Sequence, residues 1–314
     1  MNQPKVSIGL PVYNGENFLR HALTSLLDQT YPDYELILRD NASTDGTEAI
    51  CREFARRDAR IRYIRNPTNV GAGPNFNGIV ALAQGEYFKW LAHDDVMAPT
   101  FLARCVETLE KDATAVLACP RVRHIDAGGV PLTDYLSPFR TDGLDRVVRF
   151  AELLRDGYRC FEVFGLIRLK ELKQTHLIGN FNHGDGVLLA HLALLGRFAD
   201  IPEYLLHSRQ HEQQSMYVYR ADGSRGPADL EAYANWFNPN NQIGLSRSFN
   251  KAFVEYLWMV RTTPMSVRER LACYRVVARW FLVRWRSLAG EWKRTLYRAC
   301  GLPCQPRQRK QSPA

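Results

Sequence analysis

Strand-length apolar runs and helix-period apolar stripes alternate through roughly the first 120 residues, and few folds accept that order. Val6-Ser7-Ile8-Gly9-Leu10 reads as a buried strand that ends at Pro11. Between residues 16 and 29, Phe18, Leu19, Ala22, Leu23, Leu26 and Leu27 recur at helical spacing. Residues 34–38 form a second strand pattern, and the capping residues Ser43, Thr44 and Asp45 precede a helix running to Arg57. The alternation continues with a strand at 61–64, a helix at 74–83, a strand at 86–91, a helix at 99–109 opened by Pro99, and a strand at 115–119. Parallel strands need crossover connections, so this order predicts an α/β fold with a mainly parallel sheet flanked by helices. Sheets of that kind bind ligands at the carboxyl ends of their strands.

Residues 120–210 read as α+β, with a turn at Ala127-Gly128-Gly129, helices at 144–154 and 186–195, and strands at 161–169 and 198–207. From about residue 228 the pattern is helical, and the Pro-, Gln- and Lys/Arg-rich end is expected to be disordered. The composition, 46% apolar and 24% charged, excludes a wholly disordered chain, a collagen and a small disulfide scaffold. No apolar run approaches the roughly 18–20 residues of a membrane span, and no signal peptide is visible, so a cytoplasmic protein is expected. The seven cysteines are scattered and are read as reduced thiols.

Three polar clusters follow predicted strands: Pro11-Val12-Tyr13-Asn14, Arg39-Asp40-Asn41 and His93-Asp94-Asp95. Alone, an Asp-Asn pair after a strand is an ordinary turn or cap. In a parallel sheet, however, these three ends share one edge, and their joint occurrence points to a site.

Residues 6–47 carry Pro-Val-Tyr-Asn-Gly-Glu, Leu-Leu-Asp-Gln-Thr-Tyr-Pro and Asp-Asn-Ala-Ser-Thr-Asp-Gly-Thr, and the run from Asn69-Val-Gly to Gly-Glu-Tyr-Phe-Lys-Trp-Leu-Ala-His-Asp-Asp follows in order. Together they resemble a family 2 glycosyltransferase over residues 4–215. The resemblance implies a GT-A fold, Rossmann-like, with a nucleotide-sugar donor, Mg²⁺ or Mn²⁺ and an inverting mechanism. It divides the chain into a GT-A domain at 1–215 (a donor half at 1–120 and an acceptor half at 121–215), a helical basic extension at 216–300 and a tail at 301–314. By the same resemblance Asp95 holds the metal, and Asp94 reaches the metal shell or the ribose. The family's longer Asp-x-Asp-Asp motif has Asp where this chain has Ala92. Pro11, Tyr13, Asn14, Asp40 and Asn41 would bind the nucleoside, with Tyr13 stacking on the base. Asn41 stands where the family often has a second Asp, and an amide donates as well as accepts. Asn69, Gly71 and Asn75 would line the phosphate side; Gly71-Ala-Gly73 lacks the third glycine of a dinucleotide fingerprint.

In the acceptor half, Asp185 within Asn182-His183-Gly184-Asp185-Gly186 aligns with the catalytic base that deprotonates an acceptor hydroxyl. Arg209 aligns with a segment that closes over pyrophosphate, and guanidinium suits phosphate oxygens. His211 is a candidate third metal ligand, set against an ordinary packed histidine. The Gln-x-x-Arg-Trp signature of processive synthases is absent, which favours transfer of one sugar to a glycan or lipid-linked acceptor. Two rivals stand beside this reading: a nucleotidyltransferase, which would want a Gly-rich cationic loop where Pro-Val-Tyr-Asn stands, and a non-catalytic sugar- or lipid-binding protein of the same fold.

The charge is unevenly placed. Residues 261–314 hold 13 Lys and Arg against 2 Glu, whereas the whole chain is +8. On a helix over 268–288, Leu271, Tyr274, Ala278, Phe281, Trp285 and Leu288 share one face beside Arg268, Arg275, Arg279 and Arg286. Such a helix either packs on its own domain or lies on an anionic membrane, peripherally on the inner face. Nucleic acid is not expected as a partner, because the crevice offers no duplex groove or stacking stripe.

Overall fold

Strand β1 (Val6–Val12) is buried at every position, and the sheet is built outward from it. It pairs in parallel with β2 (Tyr34–Asp40) on one side and with β4 (Tyr87–Trp90) on the other; β2 then pairs in parallel with β3 (Ile61–Arg65). A strand flanked on both edges and covered on both faces reads as a continuous apolar run, which is how its sequence reads. The structure, a computed structural model, describes residues 3–155, 160–181, 183–214 and 248–299. Asn182, Cys300, Cys304, most of the first half of the extension and the 301–314 tail lie outside those residues.

Beyond β4 the sheet becomes mixed. The strand order is β3-β2-β1-β4-β8-β6-β9-β5, with β7 (Pro131–Tyr135) on β6. Strands β6 (Ala115–Ile125) and β9 (Arg197–Arg209) are parallel, while the short β8 (Leu166–Arg168) runs antiparallel between β4 and β6. The single strand expected at 161–169 is instead a 3-10 turn (Phe161–Phe164), β8 and the short helix α6 (Leu169–Leu172). Apolar content placed that segment in the core; the turn buries Val163, and β8 buries Leu166 and Ile167. Strand β5 (Val96–Met97) has only two residues, below the length at which alternation is legible, and pairs antiparallel with His207 and Leu206 of β9.

Alternation sends the strand side chains to two faces. Val6, Ile8, Leu10, Leu36 and Leu38 pack with α1 (Leu19–Leu27), α2 (Thr47–Arg57) and α4 (Phe101–Lys111). Ile37, Phe88 and Trp90 face α3 (Ala72–Val80), α5 (Arg146–Leu153) and α7 (Gly184–Leu195). Gly9 lets α3 approach: a Cβ there would lie 2.6 Å from Ile79 Cγ2.

Helices α8 (Ser248–Thr262) and α9 (Val267–Ala299) extend this second core. The buried Glu291 carboxylate accepts from the Phe249 and Asn250 backbone N–H groups at 3.0 Å each, tying the far end of α9 to the start of α8. The packed face of α9 is Cys273, Val277, Trp280, Arg284, Leu288 and Glu291. Of the face expected to be apolar, Leu288 is buried and Tyr274 is partly buried against the same core. Leu271, Phe281 and Trp285 are exposed, together with Leu282, Val283 and Trp292, because the extension packs through a neighbouring stripe. Among the described residues no helix is long and apolar enough to cross a membrane.

Candidate active site

The register aligns the strand ends that the sequence marks: Val12 lies opposite Asp40, and Asp40 opposite Arg65. After β1 the chain turns sharply through Asn14, whose φ of 48° is left-handed. Its N–H donates to Ser43 Oγ at 2.9 Å, and its Oδ1 accepts from the Thr44 N–H at 2.9 Å. The Gly15 N–H donates to Thr47 Oγ1 at 2.9 Å. Asp40 is fully buried: Oδ1 accepts from the Ser43 N–H at 2.8 Å, and Oδ2 from Tyr63 at 2.9 Å and Arg65 at 2.5 Å. Asp40 and Asn14 therefore clamp the β1 and β2 loops together. Pro11 is buried in its strand opposite Arg39, and Tyr13, 41% exposed, presents its ring to solvent.

Asn41, Asn69, Gly71 and Asn75 come together in one hydrogen-bonded network, joined by Asn66. Asn41 Nδ2 donates to Asn69 Oδ1 at 2.8 Å and to the Gly71 carbonyl at 3.3 Å, while its Oδ1 accepts from Asn66 Nδ2 at 2.9 Å and the Val70 N–H at 3.0 Å. Asn66 also donates to Asn75 Oδ1 at 3.0 Å. The amide at 41 uses both its donor and its acceptor. It holds a loop in which Gly71 takes φ 88° at the start of α3.

The acidic pair forms the second half of the crevice. Asp94 and Asp95 are buried, at 8% and 4% exposure, where the β5–β9 pairing brings them to the carboxyl end of β9. Asp95 Oδ1 accepts from the Arg209 N–H at 2.9 Å, and His211 Nε2 lies 3.0 Å from Asp94 Oδ2. Burial and the Asp94 charge push the Asp95 carboxyl up, to about 8. Burial also opposes ionisation of Asp94, but His93 and His211 outweigh it and hold that carboxyl below its ordinary range. His211 Nδ1 is buried without a hydrogen-bond partner. The two carboxylates, with His211 Nε2 beside Asp94, offer oxygen and imidazole donors of the kind Mg²⁺ or Mn²⁺ accepts.

Arg209 joins this cluster through its backbone. Its guanidinium donates to the carbonyls of Asp94 at 3.0 Å, Ala127 at 2.9 Å and Asp126 at 3.2 Å, over the Phe18 ring. The same Phe18 ring packs 4.5 Å from His211.

Topology sets the direction in which Asp185 lies. Helix α7 feeds β9 through the single residue Gly196 and packs on β6 and β9, so it runs back along them. Its amino end therefore rises toward the carboxyl edge of the sheet. Asp185, half-buried in its first turn, accepts from the Gly186 N–H at 2.8 Å.

Sequence reading missed two residues here. Lys89 is fully buried on β4, its ammonium over the Phe101 ring without a hydrogen-bond partner; burial pushes its pKa down, to about 7. A lysine within an apolar strand run is the signal that could have found it. Cys160 faces Asp185, but a single cysteine carries no spacing to mark it.

Residues 7–161 match the family "Glycosyl transferase family 2". An uncharacterized glycosyltransferase of Rickettsia felis is 33% identical over 181 residues, covering 57% of this chain and 29% of that protein. A second, of Haemophilus influenzae, is 40% identical over 98 residues, covering 31% of this chain and 39% of that protein. The chain thus spans about a third of the length of the curated relatives it matches. Among solved structures, S. aureus TarS 1–349 in complex with UDP-GlcNAc has TM-score 0.55 at 16% identity, covering 96% of this chain and 93% of that one. The mannosyltransferase PcManGT of Pyrobaculum calidifontis, in complex with GDP-Man and Mn²⁺, has TM-score 0.50 at 15% identity, covering 95% of this chain and 88% of that one. These likenesses make the fold GT-A-like, and by its amino-terminal half the chain belongs to glycosyl transferase family 2.

Proposed function

We propose that the protein is a metal-dependent inverting glycosyltransferase that moves one sugar from a nucleotide-sugar donor to a hydroxyl of a glycan or lipid-linked acceptor. The observation that carries this reading is the buried Asp94–Asp95–His211 cluster, on the same sheet edge as the exposed Tyr13 ring. Donors bound by proteins of this fold, UDP-GlcNAc and GDP-Man with Mn²⁺, support it.

Tyr13 stacks on the base, and the clamped loops at Asn14 and Asn69–Gly71 hold the nucleoside and phosphates. Asp95, Asp94 and His211 would hold Mg²⁺ or Mn²⁺, which supplies charge stabilisation to a diphosphate leaving group. Arg209 fixes the Asp95 carboxylate through its N–H and the loop at Asp126 through its guanidinium. Asp185 takes the proton of the acceptor hydroxyl. That oxygen attacks the anomeric carbon opposite the leaving group, the bond to the diphosphate breaks, and the configuration inverts.

The same reading gives the α9 surface a role. Its exposed Leu271, Phe281, Trp285 and Trp292 lie among Arg268, Arg275, Arg279 and Arg286, which suits an anionic lipid surface carrying the acceptor.

Calorimetric binding of UDP, GDP, dTDP and CDP, each with and without Mn²⁺, tests the donor site. One nucleoside diphosphate is expected to bind at least tenfold more tightly with the metal. Absence of binding by all four in both conditions would sink the reading.

A further inference from the structure

Cys160, His183 and Asp185 each offer one ligand atom, a sulfur, an imidazole nitrogen and a carboxylate oxygen, all within 4.8 Å of one another. They come from separate places: Cys160 precedes the Phe161–Phe164 turn, and the other two open α7, against which that turn packs. The local backbone builds this meeting. His183 takes a left-handed φ of 72°. Its ring lies over Gly186, where a Cβ would come within 2.6 Å of Nε2. Gly184 sits so close to the Gly179 carbonyl that a Cβ there would be 2.1 Å from its oxygen. The His-Gly-Asp-Gly run thus folds the imidazole back along the first helical turn, on the side of Asp185 and Cys160.

This donor set differs in kind from Asp94–Asp95–His211. A thiolate, an imidazole and a carboxylate form the mixed S, N and O set that selects Zn²⁺, whereas Mg²⁺ prefers oxygen ligands. Tetrahedral zinc with bonds of about 2.0–2.3 Å places its ligand atoms about 3.5 Å apart, so closing the cluster takes roughly 1 Å of side-chain movement. Three protein ligands leave the fourth position to water.

We propose that Cys160, His183 and Asp185 form a second metal site that takes Zn²⁺, and that its occupation withholds Asp185 from the acceptor hydroxyl. On binding, the Sγ–H bond breaks, the proton goes to solvent and an Sγ–Zn bond forms; nothing is oxidised or reduced. The inhibitory half rests on the reading of Asp185 as the base; the metal site itself does not.

The test is a Co²⁺ titration of the full chain, followed by Zn²⁺ competition. Wild type is expected to show a thiolate-to-cobalt charge-transfer band that one equivalent of Zn²⁺ abolishes. Cys160→Ser should lose the band, and His183→Asn, which tolerates the left-handed backbone, should bind at least about tenfold more weakly. A band undiminished in Cys160→Ser would come from another thiol and overturns the site. Sugar transfer at saturating Mg²⁺ is then measured against Zn²⁺, with inhibition expected in wild type and at least tenfold resistance in Cys160→Ser. Zinc bound through Cys160 with transfer unchanged keeps the site and overturns the inhibition, and with it Asp185 as base. A missing band overturns the site whatever Asp185 does.

Discussion

At the residue scale, chemistry depends on which atoms remain unspent. Asp185 accepts from the adjacent Gly186 N–H and has a side-chain hydrogen bond with Cys160, which leaves lone pairs of its two oxygens for a substrate proton. Asp185→Asn keeps the size but loses the basicity, so turnover should fall by roughly 10²- to 10⁴-fold with nucleotide affinity unchanged. Transfer near the wild-type rate would remove Asp185 from the mechanism. Asn41 is the opposite case, with both amide groups spent on the 66–71 loop. Asn41→Asp restores the residue common in the family but sets a carboxylate against the Asn69 and Gly71 oxygens. Denaturant unfolding should register a loss of about 1–3 kcal/mol. A change below about 0.5 kcal/mol would mean that the network relaxes around the charge.

At the scale of elements, α9 divides its work between two faces. One face buries Cys273, Val277, Trp280 and Leu288, so removing the helix would open the core and say little about membranes. The informative change is on the surface: Arg268, Arg275, Arg279 and Arg286 replaced together by Gln. Each cation near an anionic bilayer contributes about 1 kcal/mol, so affinity for phosphatidylglycerol vesicles should drop by roughly 10³-fold at low salt. Cosedimentation equal to wild type would end the anchor idea. The sequence placed a basic amphipathic helix here correctly in kind. Which stripe packs inward was not legible, because apolar residues occupy more than one side of α9 and only contact with α5 and α8 selects between them.

At the scale of the molecule, α7 joins the sheet to the helical extension through His191. This histidine is buried against the edge of Trp258, with Nε2 3.3 Å from Thr263 Oγ1. Burial, aided by His176, pushes its pKa down from 6.5 to about 4. The neutral ring is favoured in the folded state, so its stabilisation is complete above about pH 6.5 and is lost as pH falls toward 4. The loss is about 3 kcal/mol at most. Urea midpoints taken from pH 7 to pH 4 should fall more steeply in wild type than in His191→Gln. Parallel curves would show that the histidine takes up its proton without cost.

The α/β class, the order of the first strands and helices, and the three polar clusters at strand ends were determined by sequence alone. Each rests on local periodicity or on turn chemistry, and β1, β2 and β4 carry both within a few residues. The antiparallel insertion of β8, the two-residue β5 and the Cys160–His183–Asp185 meeting were decided only by tertiary structure. Strand direction depends on the partner, and a two-residue strand has no period. The three side chains meet only because α7 packs on the Phe161–Phe164 turn. The same distinction separates Asp95 from Asp40. Asp40 ends a strand, Asp95 follows one, and both are buried, yet Asp40 is spent on Ser43, Tyr63 and Arg65, while burial and a second carboxylate raise the proton affinity of Asp95. Only the neighbours brought by the fold give the two carboxylates such different surroundings.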